Sequence, residues 1–191
     1  MVVVALLTDA QKEYFKDSVV RTSDGTLIPV YHGTQEEFDE FQPGTFFTDD
    51  YWNADGYASG EIVIEAYLNI KNPLVIDCAG AKWDELTHEL GTSTRAICAA
   101  VDPTQYDGVI FNNIADSWMD DVEGGVSTVY YVFEPNQIKS IDNLNPTLSD
   151  DFREAGNISE APDSLDSLIA AAEGQKQVPG AGRSAREEKG L

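Results

Sequence analysis

His32, Gly33 and Thr34 follow Tyr31 in the segment YHGT, and further aromatics stand downstream at Phe46, Phe47 and Tyr57. The chain holds two histidines in 191 residues. One of them therefore sits between a tyrosine and a glycine, just ahead of an aromatic cluster. An imidazole at a strand end can hydrogen-bond a diol or an amide. Gly33 has no Cβ, so a flat ligand can reach the neighbouring backbone N–H and C=O. Thr34 adds a hydroxyl. Phe46 and Tyr57 flank an expected helical turn and are spaced to face one another across a flat ring. Stacking of that kind contributes about 0.5–1.5 kcal/mol per pair beyond plain burial.

A ribose, a carboxamide and a flat aromatic ring make up the nicotinamide riboside half of NAD. The elements that must hold such a ligand are short. LTDAQKEYFKDSVV (7–20) predicts a helix capped by Thr8. LIPVYHGT (27–34) and GTFFTDD (44–50) predict strands, and DYWNADGYA a helical turn with Asp49 or Asp50 near its start. EIVIEAYLNI (61–70) and NPLVIDC (72–78) predict two more strands. AKWDELTHELG (81–91) predicts an amphipathic helix with Trp83, Leu86 and Leu90 on one face and His88 exposed. STRAICAAV (93–101) predicts another helix, and YDGVIFNNI, STVYYVFEP and NQIKSID the remaining strands. No βαβ rhythm emerges, and neither GxGxxG nor GxxxxGK[ST] is present. The fold class is therefore α+β rather than a doubly wound sheet.

Composition divides the chain. Residues 1–148 form the expected domain. Residues 149–191 are rich in Gly, Ala, Ser, Pro, Asp and Glu and predict an acidic, largely disordered tail, with a short helix at 163–173. Net charge is −22, from 34 acids and 12 bases. The excess is spread along the chain, since residues 1–148 alone carry 25 acids and 7 bases, or −18. Such a surface repels phosphate and disfavours nucleic acid and anionic lipid, while suiting small-molecule substrates and basic partners. Cys78 and Cys98 lack close spacing and read as reduced thiols in a cytoplasmic protein. Two histidines and no cysteine pair argue against a metal site. No segment predicts a secretory leader or a membrane span.

YHGT, then GTFFTDDYWNADGYA, then YDGVIFNNI, then VYYVFEPNQIKSI resembles an ADP-ribosyltransferase domain of the His-Tyr-acid class. That class includes diphtheria-toxin-like toxins and poly(ADP-ribose) polymerases. The likeness is closer still to the ADP-ribosyltransferase domains of phage and mobile-element polyvalent proteins, and it spans roughly residues 7–148. It implies a split, mostly antiparallel sheet with flanking helices. It also implies NAD as co-substrate, nicotinamide as the leaving product and a protein acceptor for a single ADP-ribose. A monomer in a bacterial or host-cell cytoplasm is the expected setting. The alternatives are an inactive NAD-binding or ADP-ribose-binding module and an NAD glycohydrolase.

Roles follow from the resemblance residue by residue. His32 would bind the adenosine ribose, the Gly33 backbone would hold the carboxamide, and Phe46 and Tyr57 would sandwich the ring. Tyr31, Thr34, Phe47 and Asn113 complete the expected NAD-binding set. The family's acid sits at or just before the strand that here reads STVYYVFEP, where this chain has Thr128 and Val129. The nearby alternatives are Asp116, Asn113, Glu123 and Glu134. Asp116 completes the expected catalytic set with His32 and Tyr57.

Overall fold

The computed structural model of the chain describes residues 6–116 and 125–157. Helix α1 (Asp9–Tyr14) starts at Thr8, whose hydroxyl accepts from Gln11 N–H while the Gln11 side chain accepts from Thr8 N–H. This reciprocal pair satisfies two backbone donors that a helix start otherwise leaves free. The helix is shorter than the expected 7–20. Tertiary bonds draw the chain out of it: the Ser18 hydroxyl donates to Leu68 O at 2.6 Å, and Val19 N–H donates to Ile70 O at 2.8 Å.

Seven strands follow: β1 (Val30–Thr34), β2 (Thr45–Thr48), β3 (Ile62–Leu68), β4 (Leu74–Asp77), β5 (Gly108–Ile114), β6 (Ser127–Val132) and β7 (Ile138–Ser140). They form one sheet in the order β4-β5-β6-β2-β1-β3-β7, with β4 and β5 parallel and the other neighbours antiparallel. Helix α2 (Tyr51–Ala58) connects β2 to β3, and α3 (Thr94–Ala100) lies between β4 and β5. The fold is α+β, as the strand pattern predicts.

The sheet is split between β1 and β2. Strand β1 pairs with β3 along its length, from Val30 opposite Ala66 to Thr34 opposite Ile62. Strand β2 pairs fully with β6, from Thr45 opposite Val132 to Thr48 opposite Val129. Between β1 and β2 the register holds one pair, Tyr31 opposite Thr48. On the β2 side, His32, Gly33 and Thr34 have no strand partner.

Alternation along the strands divides the core between the two faces. Val30, Phe41, Phe47, Ala66, Ile110 and Tyr130 belong to one cluster, and Val109, Phe111, Ile97, Cys98 and Val129 to the other. Both cysteines are buried and unpaired. Burial pushes the Cys98 thiol up to about 12, which keeps it protonated and unfit as a nucleophile.

Residues 81–91 are not helical. Lys82–Glu85 make a turn, Leu86 N–H donates to Thr92 O, and the His88 ring accepts from Leu90 N–H at 3.2 Å. These local bonds replace the helical ladder. Leu86 and Leu90 still reach the core, but Trp83 turns away from them, and His88 is half-buried rather than exposed.

Packing continues past residue 148. Phe152 is 5% exposed and belongs to the first cluster. The buried Lys139 donates its ammonium to Ser149 O, and the Asn143 amide donates to Phe152 O and Glu154 O. The helix expected at 163–173 lies outside the described residues. No described helix is long and apolar enough to cross a membrane.

Candidate active site

The split in the sheet opens a cavity of about 650 Å³. Tyr31, His32 and Gly33 of β1 line it, with Phe46 and Phe47 of β2, Tyr57 of α2 and Asp116 beyond β5. Those seven are residues that the sequence pattern singles out. Thr34 and Asn113 do not line it. The Thr34 hydroxyl bonds to Glu36 O, and the Asn113 amide donates to the Asp77 carboxylate.

His32 is fixed by its surroundings. Its ring packs against Phe38, Phe41 and Phe47 at centroid distances of 6.4, 5.2 and 5.4 Å. Nδ1 lies 2.8 Å from Phe46 O, across the gap that the ladder leaves open. A carbonyl can only accept, so Nδ1 carries the proton and Nε2 is left as an acceptor. Burial depresses the imidazole below its ordinary range, so the ring is neutral at pH 7. A neutral Nε2 at the cavity wall accepts from a hydroxyl.

Gly33 has a packing reason as well as a ligand one. A Cβ there would stand 1.9 Å from Ala54 O and 2.7 Å from Ala58 N, both on α2. The missing side chain lets the helix lie directly on the strand. Asp50 caps that helix, accepting from Trp52 N–H at 2.8 Å and Asn53 N–H at 3.2 Å. So anchored, α2 presents Tyr57 to the cavity.

The Tyr57 hydroxyl donates to Asp116 Oδ1 at 2.9 Å. Burial and the neighbouring carboxylate hold the phenol well above its ordinary range. Burial also raises the Asp116 carboxyl, against the pull of the Tyr57 bond. The backbone that delivers Asp116 contains a bulge. Phe111 pairs with Val129 and Ile114 with Ser127, so β5 carries an extra residue, and Asn113 adopts φ 54. An extra residue switches which face later side chains take. Phe111, Ile114 and Val129 share one cluster, and Asp116 follows Ile114 in the same alternation.

The strand position where the resemblance implies an acid falls on Thr128 or Val129, and Val129 is a buried cavity-wall residue. Glu134 lies away from the cavity, beside the turn Pro135–Gln137, and Glu123 lies outside the described residues. Asp116 is the one carboxylate among the described residues that line the cavity.

Trp83, Thr94 and Arg95 also line the cavity, and the sequence pattern gives none of them a role in the site. Arg95 lies in the first turn of α3 and supplies the one cationic side chain among the described residues of the lining. Its charge acts on the Tyr57 phenol. The available signal was scarcity, since residues 1–148 hold only 7 bases. Among the described residues, no cluster of His, Cys, Asp or Glu could hold a metal ion.

Residues 22–148 match a family described as ADP-Ribosyltransferase in polyvalent proteins. The chain belongs to that family. No curated protein and no solved structure matches it. The split sheet, with histidine on one lip and tyrosine on the facing helix, is thus the architecture of an ADP-ribosyltransferase domain, and NAD is the co-substrate that this family uses.

Proposed function

We propose that the protein is a mono-ADP-ribosyltransferase that moves ADP-ribose from NAD to a protein acceptor and releases nicotinamide. The observation that carries this reading is the Tyr57–Asp116 pair at 2.9 Å on the wall that also holds His32 and Phe46. NAD takes the cavity with its nicotinamide ring between Phe46 and Tyr57. The Nε2 atom of His32 accepts from a ribose hydroxyl, and Arg95 faces the diphosphate.

The reaction breaks the bond between ribose C1′ and the pyridinium nitrogen. The electron pair leaves with nicotinamide, which becomes neutral, and C1′ acquires oxocarbenium character. Asp116 supplies the opposite charge to that centre, an effect strongest in the transition state. The acceptor then bonds to C1′ and sheds its proton to solvent. Gly33 and its open strand edge support recognition of the carboxamide by backbone groups.

Thr128 or Val129, neither of them acidic, stands where the resemblance implies an acid, and this favours a second reading: NAD binding with weak transfer, or hydrolysis to water. Incubation with NAD labelled in the adenosine half separates these. Label on protein supports transfer. Free nicotinamide and labelled ADP-ribose without protein label support hydrolysis. Binding without either product supports a non-catalytic module.

A further inference from the structure

Between Arg21 and Lys71 the chain contains no lysine or arginine and ten carboxylates. That stretch supplies β1, α2 and β3 on the His32 side of the split and β2 on the facing side. Helix α2 carries large exposed rings on this acidic ground: Tyr51 is 44% and Trp52 76% exposed. Adjacent exposed rings of this size, rimmed by polar residues, mark an interaction site.

The rings are ordered. Tyr31, in the cavity wall, meets Tyr51 edge to face at 5.5 Å, and Tyr51 meets Trp52 edge to face at 5.4 Å. They form a continuous aromatic path from the cavity to the surface. Carboxylates flank it. Asp55 is four residues from Tyr51 and three from Trp52, the spacings that share a helix face. Glu65 stands beside the Tyr31 phenol and helps raise it. An aromatic face with a carboxylate one turn away suits a guanidinium or an ammonium. The ring contributes cation–π attraction and the acid an ion pair. The same ten carboxylates repel a phosphate backbone.

We propose that Tyr51, Trp52 and Asp55 form the docking ridge for the acceptor, and that the acceptor is a basic polypeptide segment whose arginine or lysine side chains lie on these rings. This rests on the transferase reading for its purpose, though not for its geometry.

The test uses a labelled arginine-glycine peptide and a control in which citrulline replaces every arginine. Citrulline keeps the shape and loses the charge. Binding to the full chain is read by anisotropy, with no NAD present. The arginine peptide should bind and the citrulline peptide should not. Trp52→Ala leaves net charge unchanged and removes an exposed ring, so its melting curve should match wild type. It should weaken the arginine peptide about fivefold or more, and Asp55→Asn should weaken it too. With NAD present, Trp52→Ala should raise the KM for that peptide as acceptor and leave NAD affinity unchanged.

Wild-type binding by Trp52→Ala would overturn the ridge and leave only net-charge attraction. So would failure of the wild type to bind the peptide, or turnover with an unchanged acceptor KM. Binding that depends on Trp52, with no product from NAD, keeps the ridge and sinks the transferase reading instead.

Discussion

The Tyr57 hydroxyl and the Asp116 carboxylate, 59 positions apart in the chain, meet at 2.9 Å. The pair joins α2 to the end of β5 across the mouth of the split sheet. It fixes the tilt of the tyrosine ring. A ring held by its hydroxyl stacks at lower entropic cost than a free one.

Asp116→Asn should lower turnover about a hundredfold or more while NAD affinity changes little. The charge matters in the transition state, whereas the Tyr57 bond survives on the amide oxygen. Stability should move the other way. The folded Asp116 carboxyl lies above its unfolded value of 3.8, so ionisation opposes folding. That penalty is complete above the folded value and vanishes below 3.8. The variant should therefore melt higher than wild type at pH 7 and gain nothing at about pH 3, below the unfolded carboxyl range. Normal turnover would remove Asp116 from the reaction.

Tyr57→Phe should keep the stacking face and lose the bond to Asp116. Tyr57→Ala loses both, so it should weaken NAD more. Equal losses with unchanged melting curves would make the hydroxyl, and not the ring, the binding group.

His32→Gln should weaken NAD about 2- to 10-fold, the equivalent of roughly 0.5–1.5 kcal/mol for one hydrogen bond. His32→Ala is a harsher change, because the ring packs against three phenylalanines. Nitrogen-detected NMR should find the Nδ1–H tautomer. The folded imidazole titrates below its unfolded value of 6.5. Above 6.5 both states are neutral and His32 adds no pH dependence. As pH falls below it, the unfolded chain takes up the proton first, so stability declines until the folded ring titrates too. A resonance that titrates at or above 6.5 would contradict the buried neutral ring.

Arg95→Gln should weaken NAD and ADP-ribose about tenfold and leave nicotinamide unaffected, since only the first two carry the diphosphate. An equal loss for all three ligands would place Arg95 at the nicotinamide end.

Phe152→Ala should cost about 3 kcal/mol or more, near 10 °C in melting temperature for a domain of this size. A chain ending at residue 148 should lose at least as much, because it also strips Lys139 of its buried carbonyl partner. A chain ending at residue 157 should melt within a few degrees of the full chain.

Strands were legible because alternation and short apolar runs report directly on a sheet with two buried faces. The aromatic and glycine positions of the cavity were legible through their spacing. What stayed hidden depends on tertiary bonds. Residues 81–91 have helical periodicity, yet the His88 ring and Thr92 carbonyl capture the backbone donors that a helix would use. Arg95 reads locally as a solvated residue in a helix start, and only the assembled cavity gives it a role. The bulge at Asn113 leaves no local mark beyond two adjacent asparagines, so the facing of Asp116 could not be derived from alternation. Phe152 and Lys139 look like the end of a domain and a strand edge, but they meet the core from opposite sequence directions.

The close seat of α2 on Gly33 has an evolutionary side. One helix carries Tyr57 into the cavity and Trp52 out to the surface, and a single methyl group at residue 33 would collide with the Ala54 carbonyl beneath both. Donor pocket and outer ridge therefore share one mutational constraint. A side chain at position 33 would displace the helix and so disturb both at once, whereas exchange of the outward residues of α2 leaves its seat on the strand as it is.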